Sequence, residues 1–382
     1  MPLSAEDFSL FRDSVASYLR ERYDDAERRR IIDSETGWSE THWRAFATEL
    51  GLLGAAFPED MGGLGGGAAA HGMIMEQFGA ALVAEPYLST AVIGGGFLQY
   101  GTMPGAADLI RRLIDGDVRI AFAHGEPGTR YTLAHVETTA RADGDGYILD
   151  GNKAVVLGAA AATHFVVIAR TAGKARDAAG ISAFLADASS AGIERRHFRT
   201  ISGAIASELT LAGVRVPADR LLTAEGEALP LIEKVIDEAT AVLCHEAVGV
   251  MRRLHGDTLD YTQQRNQFGK PLASFQALQH RMVDMLMLLT HSASLAEKTI
   301  DALDMSDDPR ARMVSAAKVY IGKAARFCGQ NAVQLHGGMG MTDELAVGFF
   351  FKRAIEIERQ FGNVDHHLTR YERLSFASGL AA

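Results

Sequence analysis

Two glycine-punctuated segments hold the residue types that bind a charged, aromatic ligand. Gln334-Leu335-His336-Gly337-Gly338-Met339-Gly340 closes a long helical stretch. Glycines there let backbone approach a ligand with no Cβ in the way, and the freed N–H groups suit a pyrophosphate or a carbonyl-bearing ring edge. A helix-ending glycine pair also serves as a plain C-cap. The second segment is Arg265-Asn266-Gln267-Phe268-Gly269-Lys270-Pro271-Leu272, followed by Phe275-Gln276. Arg265 offers charge-assisted hydrogen bonds to a diphosphate, and Phe268 offers a face to an aromatic ring. Taken alone, it reads equally as an interhelix turn with a surface arginine and a core phenylalanine. A third segment, Gly51 to Gly65, is rich in glycine but lacks a Lys-Ser/Thr ending and a preceding strand, so tight turns explain it better than a phosphate cradle.

The elements that must position these residues follow from periodicity. Phe8, Phe11, Val15, Tyr18 and Leu19 recur at helical spacing, a helix is predicted over Glu40 to Leu50, and more helix over Ala69 to about Gly116. From Val118 the pattern turns to short β-rich runs: Ile120–Ala123, Val136–Ala140, Tyr147–Leu149, Phe165–Ala169, Ile181–Leu185 and Leu209–Leu211. Turn signals such as Asp143-Gly144-Asp145-Gly146 separate them, which predicts a small β sandwich or barrel. Three long helices are predicted at Leu229–Gln264, Ser274–Leu303 and Pro309–Leu335, joined by short loops as in a bundle. The result is an α+β chain of three domains, 1–117, 118–225 and 226–382.

The 382-residue length agrees, because single cores stop growing near ~250–300 residues. A net charge of −10 without a basic block argues against nucleic acid. Arg28 to Arg30 follow acidic residues and read as a solvated, mixed-charge face. Cys244 and Cys328 lack metal or redox spacing and are expected as buried thiols. No signal peptide or membrane-spanning run is read, and a cytoplasmic location is expected.

Together, the motifs resemble the acyl-CoA dehydrogenase family: Arg265-x-Gln267-Phe268-Gly269 with Phe275-Gln276, then Gln334-x-His336-Gly337-Gly338-Met339-Gly340-Met341-Thr342. Gly51 to Gly65, the run Asp145 to Lys153 and Asp284-Met285 are similar to further family segments, so the resemblance spans nearly the whole chain. Within the family the chain looks most like the small subunits of pimeloyl-CoA dehydrogenase-like and related two-subunit steroid-degrading enzymes. The resemblance implies an N-terminal helical domain, a middle β-barrel and a C-terminal four-helix bundle, usually as a tetramer. It implies FAD and an acyl-CoA substrate from fatty acid or steroid catabolism, and it leaves electron-transferring flavoprotein as one acceptor among others. It also implies that Arg265, Gln267, Phe268, Gln276, Gln334, Gly337, Gly338 and Gly340 bind FAD, reaching that of a neighbouring subunit.

The chain departs from the family where the chemistry is done. The family's usual catalytic glutamate falls on Phe361, Gly362 or Asn363, and its alternative position, on the helix before the arginine loop, falls on Ala239. Neither place has a base. Glu246, roughly on the helix face of Ala239, and Asp365 are the nearest substitutes; Glu246 reads more simply as a partner of Arg252 or Arg253, and Asp365 as a cap or a partner of His366 or His367. Glu238 points about 100° away from Ala239. In the middle domain Tyr131-Thr132 replace the family's Ser-Asp, Val155 stands for the ring-covering Trp, and Leu157 for a flavin-bonding Thr. Three readings follow: the small subunit of a two-component acyl-CoA dehydrogenase, a self-sufficient homo-oligomer with an atypical base, or a flavin-free structural or regulatory subunit.

Overall fold

A computed structural model describes residues 5–377. They form two compact units, one of Arg29–Gly67 with Ala84–Ala239, the other of Glu6–Arg28, Ala68–Val83 and the chain from Thr240 onward. The first helices are α1 (Ala5–Arg22), α2 (Asp25–Asp33), α3 (Glu40–Thr48) and α4 (Gly67–Ala81). Ser39 caps α3 by accepting a hydrogen bond from the His42 amide at 3.3 Å. The helix expected to run on to Gly116 is broken instead. A π-helical segment at Leu88–Gly94 leads into α5 (Gly95–Tyr100), and Gly101, Pro104 and Gly105 separate that from α6 (Ala106–Ile114).

The β region is a curled sheet of seven strands: β1 (Ile120–Ala123), β2 (Thr139–Asp143), β3 (Gly146–Leu157), β4 (His164–Arg170), β5 (Ile181–Asp187), β6 (Ile193–Arg199) and β7 (Ile205–Pro217). Their order is β1-β4-β2-β3-β7-β6, with β5 on β4, around a core that includes Leu149, Phe165, Phe184, Leu209 and Val214. The β2–β3 hairpin turns on two residues, and Gly144 supplies the left-handed φ of +63° that this turn needs.

Two strand expectations change. The run expected at Val136–Ala140 starts its ladder only at Thr139, because the amides before it are diverted: Val136 donates to Ala175 O, and Glu137 and Thr138 donate to the Glu126 carboxylate. Strand β6, Ile-Glu-Arg-Arg-His-Phe-Arg, was not foreseen; it is an edge strand on β7, so its outward residues are charged and its apolar signal is weak.

The second unit holds the C-terminal bundle: the later turns of α7 (Leu229–Gln264), then α8 (Gln276–Ala302), α9 (Asp307–His336), α10 (Val347–Arg359) and α11 (Val364–Ala377). The three long helices lie within two residues of their expected limits. Glycines let α4 and α7 touch backbone to backbone: a Cβ on Gly249 would sit 1.9 Å from Glu76 O, and one on Gly79 would sit 2.2 Å from Glu246 O. Cys244 and Cys328 are buried free thiols. Arg28 is not on a solvated face. It is buried, donates to Leu82 O at 3.2 Å and lies over the Phe349 ring. Among the described residues no helix is long and apolar enough to cross a membrane.

Candidate cofactor and active site

The arginine and glycine segments meet at one end of the bundle. Tyr261 in the last turn of α7 stacks on His336 in the last turn of α9, with ring centroids 4.4 Å apart. Beyond Tyr261, a short hairpin of β8 (Asn266–Gln267) and β9 (Lys270–Pro271) leads into α8, and the Leu272 amide closes it by donating to Arg265 O at 2.8 Å. Phe268 at its tip is 90% exposed with φ +54°. A phenylalanine held bare in a left-handed turn is expensive unless something covers it. Arg265, Gln267, Gln276 and Gln334 are exposed as well, and the Arg265 guanidinium has no carboxylate partner among the described residues.

The glycines divide into two kinds. Nothing lies within 4 Å of a Cβ added at Gly337 or Gly338, so this backbone is open to a ligand. Gly340 is buried, and a Cβ there would lie 2.7 Å from Val333 O; its own helix end requires the glycine. A free cation, an uncovered ring and an open turn fit an aromatic cofactor that carries a diphosphate.

The Gly51–Gly65 region offers no comparable cradle. Its amides are spent internally, with Leu64 donating to Gly54 O, Gly65 to Phe57 O and Gly66 to Ala55 O.

In the curled sheet, the loop from Gly125 to Thr132 is anchored by a buried ion pair. Lys153 Nζ donates to Glu126 Oε1 at 2.5 Å and to His124 O at 3.3 Å. Glu126 also accepts the amides of Glu137 and Thr138, at 2.6 and 3.0 Å. Burial lowers the Lys153 pKa to about 8 despite Glu126. Burial pushes Glu126 up, but Lys153 and the hydrogen bonds outweigh it and hold the carboxyl below its ordinary value. Two residues on, the β3–β7 ladder bulges, and Val155 stands 60% exposed at φ +54°. A β-branched residue in that conformation is strained, which marks a site that the fold over-determines. Lys153 stands 27 residues from Glu126, too far for the sequence to show the pair.

The positions that the resemblance gives to a base are filled otherwise. Ala239 is fully buried. In the turn between α10 and α11, Phe361 has φ +60° and Gly362 φ +128°. A Cβ on Gly362 would lie 2.6 Å from His366 Cδ2 and 2.7 Å from His367 Nε2. Asn363 Oδ1 accepts the His366 amide at 3.0 Å and so caps α11. Asp365 is exposed in the first turn of that helix, where its charge suits the N-terminal dipole. Glu246 is buried and binds neither expected arginine. It meets Arg353, while Arg252 pairs with Glu76 and Arg253 with Asp257. Glu238 is buried too and accepts the Tyr100 hydroxyl at 2.9 Å.

The turn is held by Lys318, which sequence reading passed over. The signal was there: Lys318 lies among Val314, Ala317, Ile321 and Ala325, on the apolar stripe of α9.

Helices, a curled sheet and a helix bundle follow in that order, with an open glycine turn and a free arginine at one end of the bundle, and the domain matches below make the chain an oxidoreductase of the class that acts on a CH–CH bond. The chain belongs to the acyl-CoA dehydrogenase family. Residues 5–117, 121–214 and 229–361 match the N-terminal, middle and C-terminal domains of acyl-CoA dehydrogenase. It is 30% identical over 307 residues to the probable acyl-CoA dehydrogenase YngJ of Bacillus subtilis, covering 78% of this chain and 80% of that one. Among solved structures, a variant of the Tcur3481-Tcur3483 steroid ACAD is 28% identical, with a TM-score of 0.88 and 99% of each chain covered. The ChsE4-ChsE5 complex of Mycobacterium tuberculosis is 25% identical, with a TM-score of 0.85 and 98% of each chain covered.

Proposed function

We propose that this chain is the small subunit of a two-component, FAD-dependent acyl-CoA dehydrogenase, in which a homologous partner chain carries the base. The observation that carries this reading is Gly362: a Cβ there would meet His366 and His367, so that position is packed against a glutamate, and Phe361 and Asn363, the two positions beside it, offer no base. Two of the similar solved structures bear paired names, one of them a steroid ACAD and the other a complex, which favours a partner chain and a bulky acyl group. The exposed apolar residues Val283, Leu286 and Met287, neighbours on one side of α8, favour assembly with another chain, in a tetramer on the family's pattern.

In this reading Arg265 binds the cofactor's diphosphate, Phe268 covers an aromatic ring, and Gly337 and Gly338 admit its edge to their backbone amides. Gln267, Gln276 and Gln334 supply amide groups, and Gly340 acts through the shape of the turn. Bound flavin would supply hydride acceptance from the acyl β-carbon, giving a 2-enoyl-CoA. The division at 1–117, 118–225 and 226–382, the cytoplasmic location and reoxidation by electron-transferring flavoprotein belong to the same proposal. The deciding test is visible flavin absorbance of the chain purified alone and after co-expression with a homologous chain that retains the glutamate. Flavin that appears only with the partner supports the assignment; a full complement on the single chain, with turnover, overturns it in favour of a self-sufficient enzyme.

A further inference from the structure

One face of α9 carries Ser315, Lys318, Gly322 and Arg326, spaced so that a helix lines them up. Each meets the junction of α10 and α11. Arg326 Nη2 donates to Glu358 Oε2 at 2.8 Å, Gly322 leaves room for the Glu358 stem, and Ser315 Oγ lies 3.3 Å from His367 Nδ1. At the centre, Lys318 Nζ donates to Glu358 O at 2.9 Å and to Gly362 O at 2.8 Å. Glu358 O is among the carbonyls that the end of α10 leaves without a helical partner. The Glu358 carboxylate turns elsewhere, to Arg326 and to the Val364 amide. A buried ammonium is thus spent on two backbone carbonyls at either end of one turn.

We propose that Lys318 is the positioning residue of the 358–363 turn at the acyl-CoA site, its amine tying the two ends of the turn together. The turn's place at that site rests on the dehydrogenase reading above; the clamp itself does not. The turn needs an external hold, because Phe361 and Gly362 both sit at positive φ.

The charged and titratable groups around Lys318 come from three helices: Cys244 on α7, Glu358 on α10, and His366, His367 and Arg370 on α11. Burial lowers Lys318 to about 8, against the opposing pull of the Glu358 carboxylate. Burial raises Cys244 to about 12 and lowers His367 to about 2; His366 is lowered as well, so these groups stay neutral where Lys318 titrates. The clamp is therefore charged at neutral pH and loses its charge as pH rises through about 8. The neutral amine keeps two N–H groups for the two carbonyls, and because the closed turn holds the lysine below its ordinary 10.5, opening the turn takes up a proton and is favoured as pH falls toward 8.

The test is amide hydrogen exchange on the purified chain across this pH range, corrected for intrinsic rates. It follows Gly362 and Val364, whose amides bond Arg359 O and the Glu358 carboxylate, and Gln360, whose amide bonds Glu356 O at the end of α10. The native chain should gain up to about tenfold protection there per pH unit above 8, the factor set by one proton taken up on opening. Lys318→Met should show low protection at every pH, and Lys318→Arg should show no alkaline gain. Equal protection and equal pH trend in the native and Met proteins overturn the proposal. If neither variant folds, a native turn whose protection stays flat through the titration overturns it by itself. No partner or flavin is needed, so failure of the two-component reading would show in the absorbance experiment and leave this result standing.

Discussion

Glu246 and Arg353, 107 residues apart, meet through two parallel hydrogen bonds, Nε to Oε1 at 2.5 Å and Nη2 to Oε2 at 2.6 Å. Both carboxylate oxygens are engaged. Arg353 also reaches Glu356 at 3.3 Å; burial opposes its charge, but the two carboxylates outweigh that and raise its pKa. A base must have an oxygen free to receive a proton, and this carboxylate is held by a cation that no pH change will discharge. Glu246→Gln should therefore destabilise the chain, toward the lower end of the ~3–5 kcal/mol that follows from unpairing a buried ion, since Glu356 stays beside the arginine. Activity of the assembled enzyme should hardly move. Denaturant unfolding together with kcat checks both halves; a stable variant with lost turnover would make Glu246 the base.

The α4–α7 contact tests a different kind of constraint. Gly249→Ala places a methyl 1.9 Å from Glu76 O and 2.8 Å from Ala80 N, and both neighbours are backbone. The helices must part. Loss at or beyond the upper end of the ~1–3 kcal/mol typical of overpacking is expected. An unchanged thermal midpoint would show that the helices do not cross this closely.

Arg265→Ala should weaken FAD binding by about 1.5–3 kcal/mol, the range for a hydrogen bond to a charged group. The guanidinium stands free for the purpose, with no carboxylate partner among the described residues. Titration of flavin into the apo complex measures it. Unaltered affinity removes Arg265 from the site.

Lys153 links stability to pH. Its folded pKa is about 8, against an ordinary 10.5. Between these values the unfolded chain holds a proton that the folded chain has released, so stability rises with pH across the window and the gain is lost as pH falls to 8. Lys318 acts in the same direction. Above pH ~10, tyrosines such as Tyr87, whose ionisation burial opposes, begin to work the other way. Denaturant unfolding at pH 8 and at about 9.5, inside that window, should show a gain in the native chain. The paired substitution Lys153→Met with Glu126→Gln should shrink it; an identical gain in both proteins would rule the lysine out.

The long helices and the Arg265 and Gly337 segments were legible because their signals are local. Apolar periodicity marks α7, α8 and α9, and glycine marks the chain's turns. The sheet's limits were less legible, since the ladder begins at Thr139 only because Glu126 claims the two amides before it. Pairings across long separations were not legible at all. Nothing near Glu246 points to Arg353, and adjacent arginines drew the expectation instead. Lys318 and Gly362 are likewise far apart in sequence, although a lysine on an apolar stripe is a readable anomaly. Gly362 itself read as a missing side chain; only the fold shows His366 and His367 standing where that side chain would go.

Catalysis gives the sharpest expectation. Purified alone, the chain should show little or no acyl-CoA oxidation with an artificial electron acceptor. The α-proton of a thioester is weakly acidic, and Phe361, Gly362, Asn363 and Ala239 cannot take it. A positioned base contributes about 10²–10⁴-fold, so its absence should be plain in the rate. Returning a carboxylate should not repair this. In Gly362→Glu the new Cβ would lie 2.6 Å from His366 Cδ2 and 2.7 Å from His367 Nε2, at a φ of +128° that side chains avoid. The variant should lose stability and gain no turnover. Asp365→Asn should leave activity of the assembled enzyme unchanged, because the native side chain is an exposed residue in the first turn of α11. Dye reduction across several acyl-CoAs measures all three proteins. Robust turnover by the native chain alone that disappears in Asp365→Asn would identify the base and end the small-subunit reading.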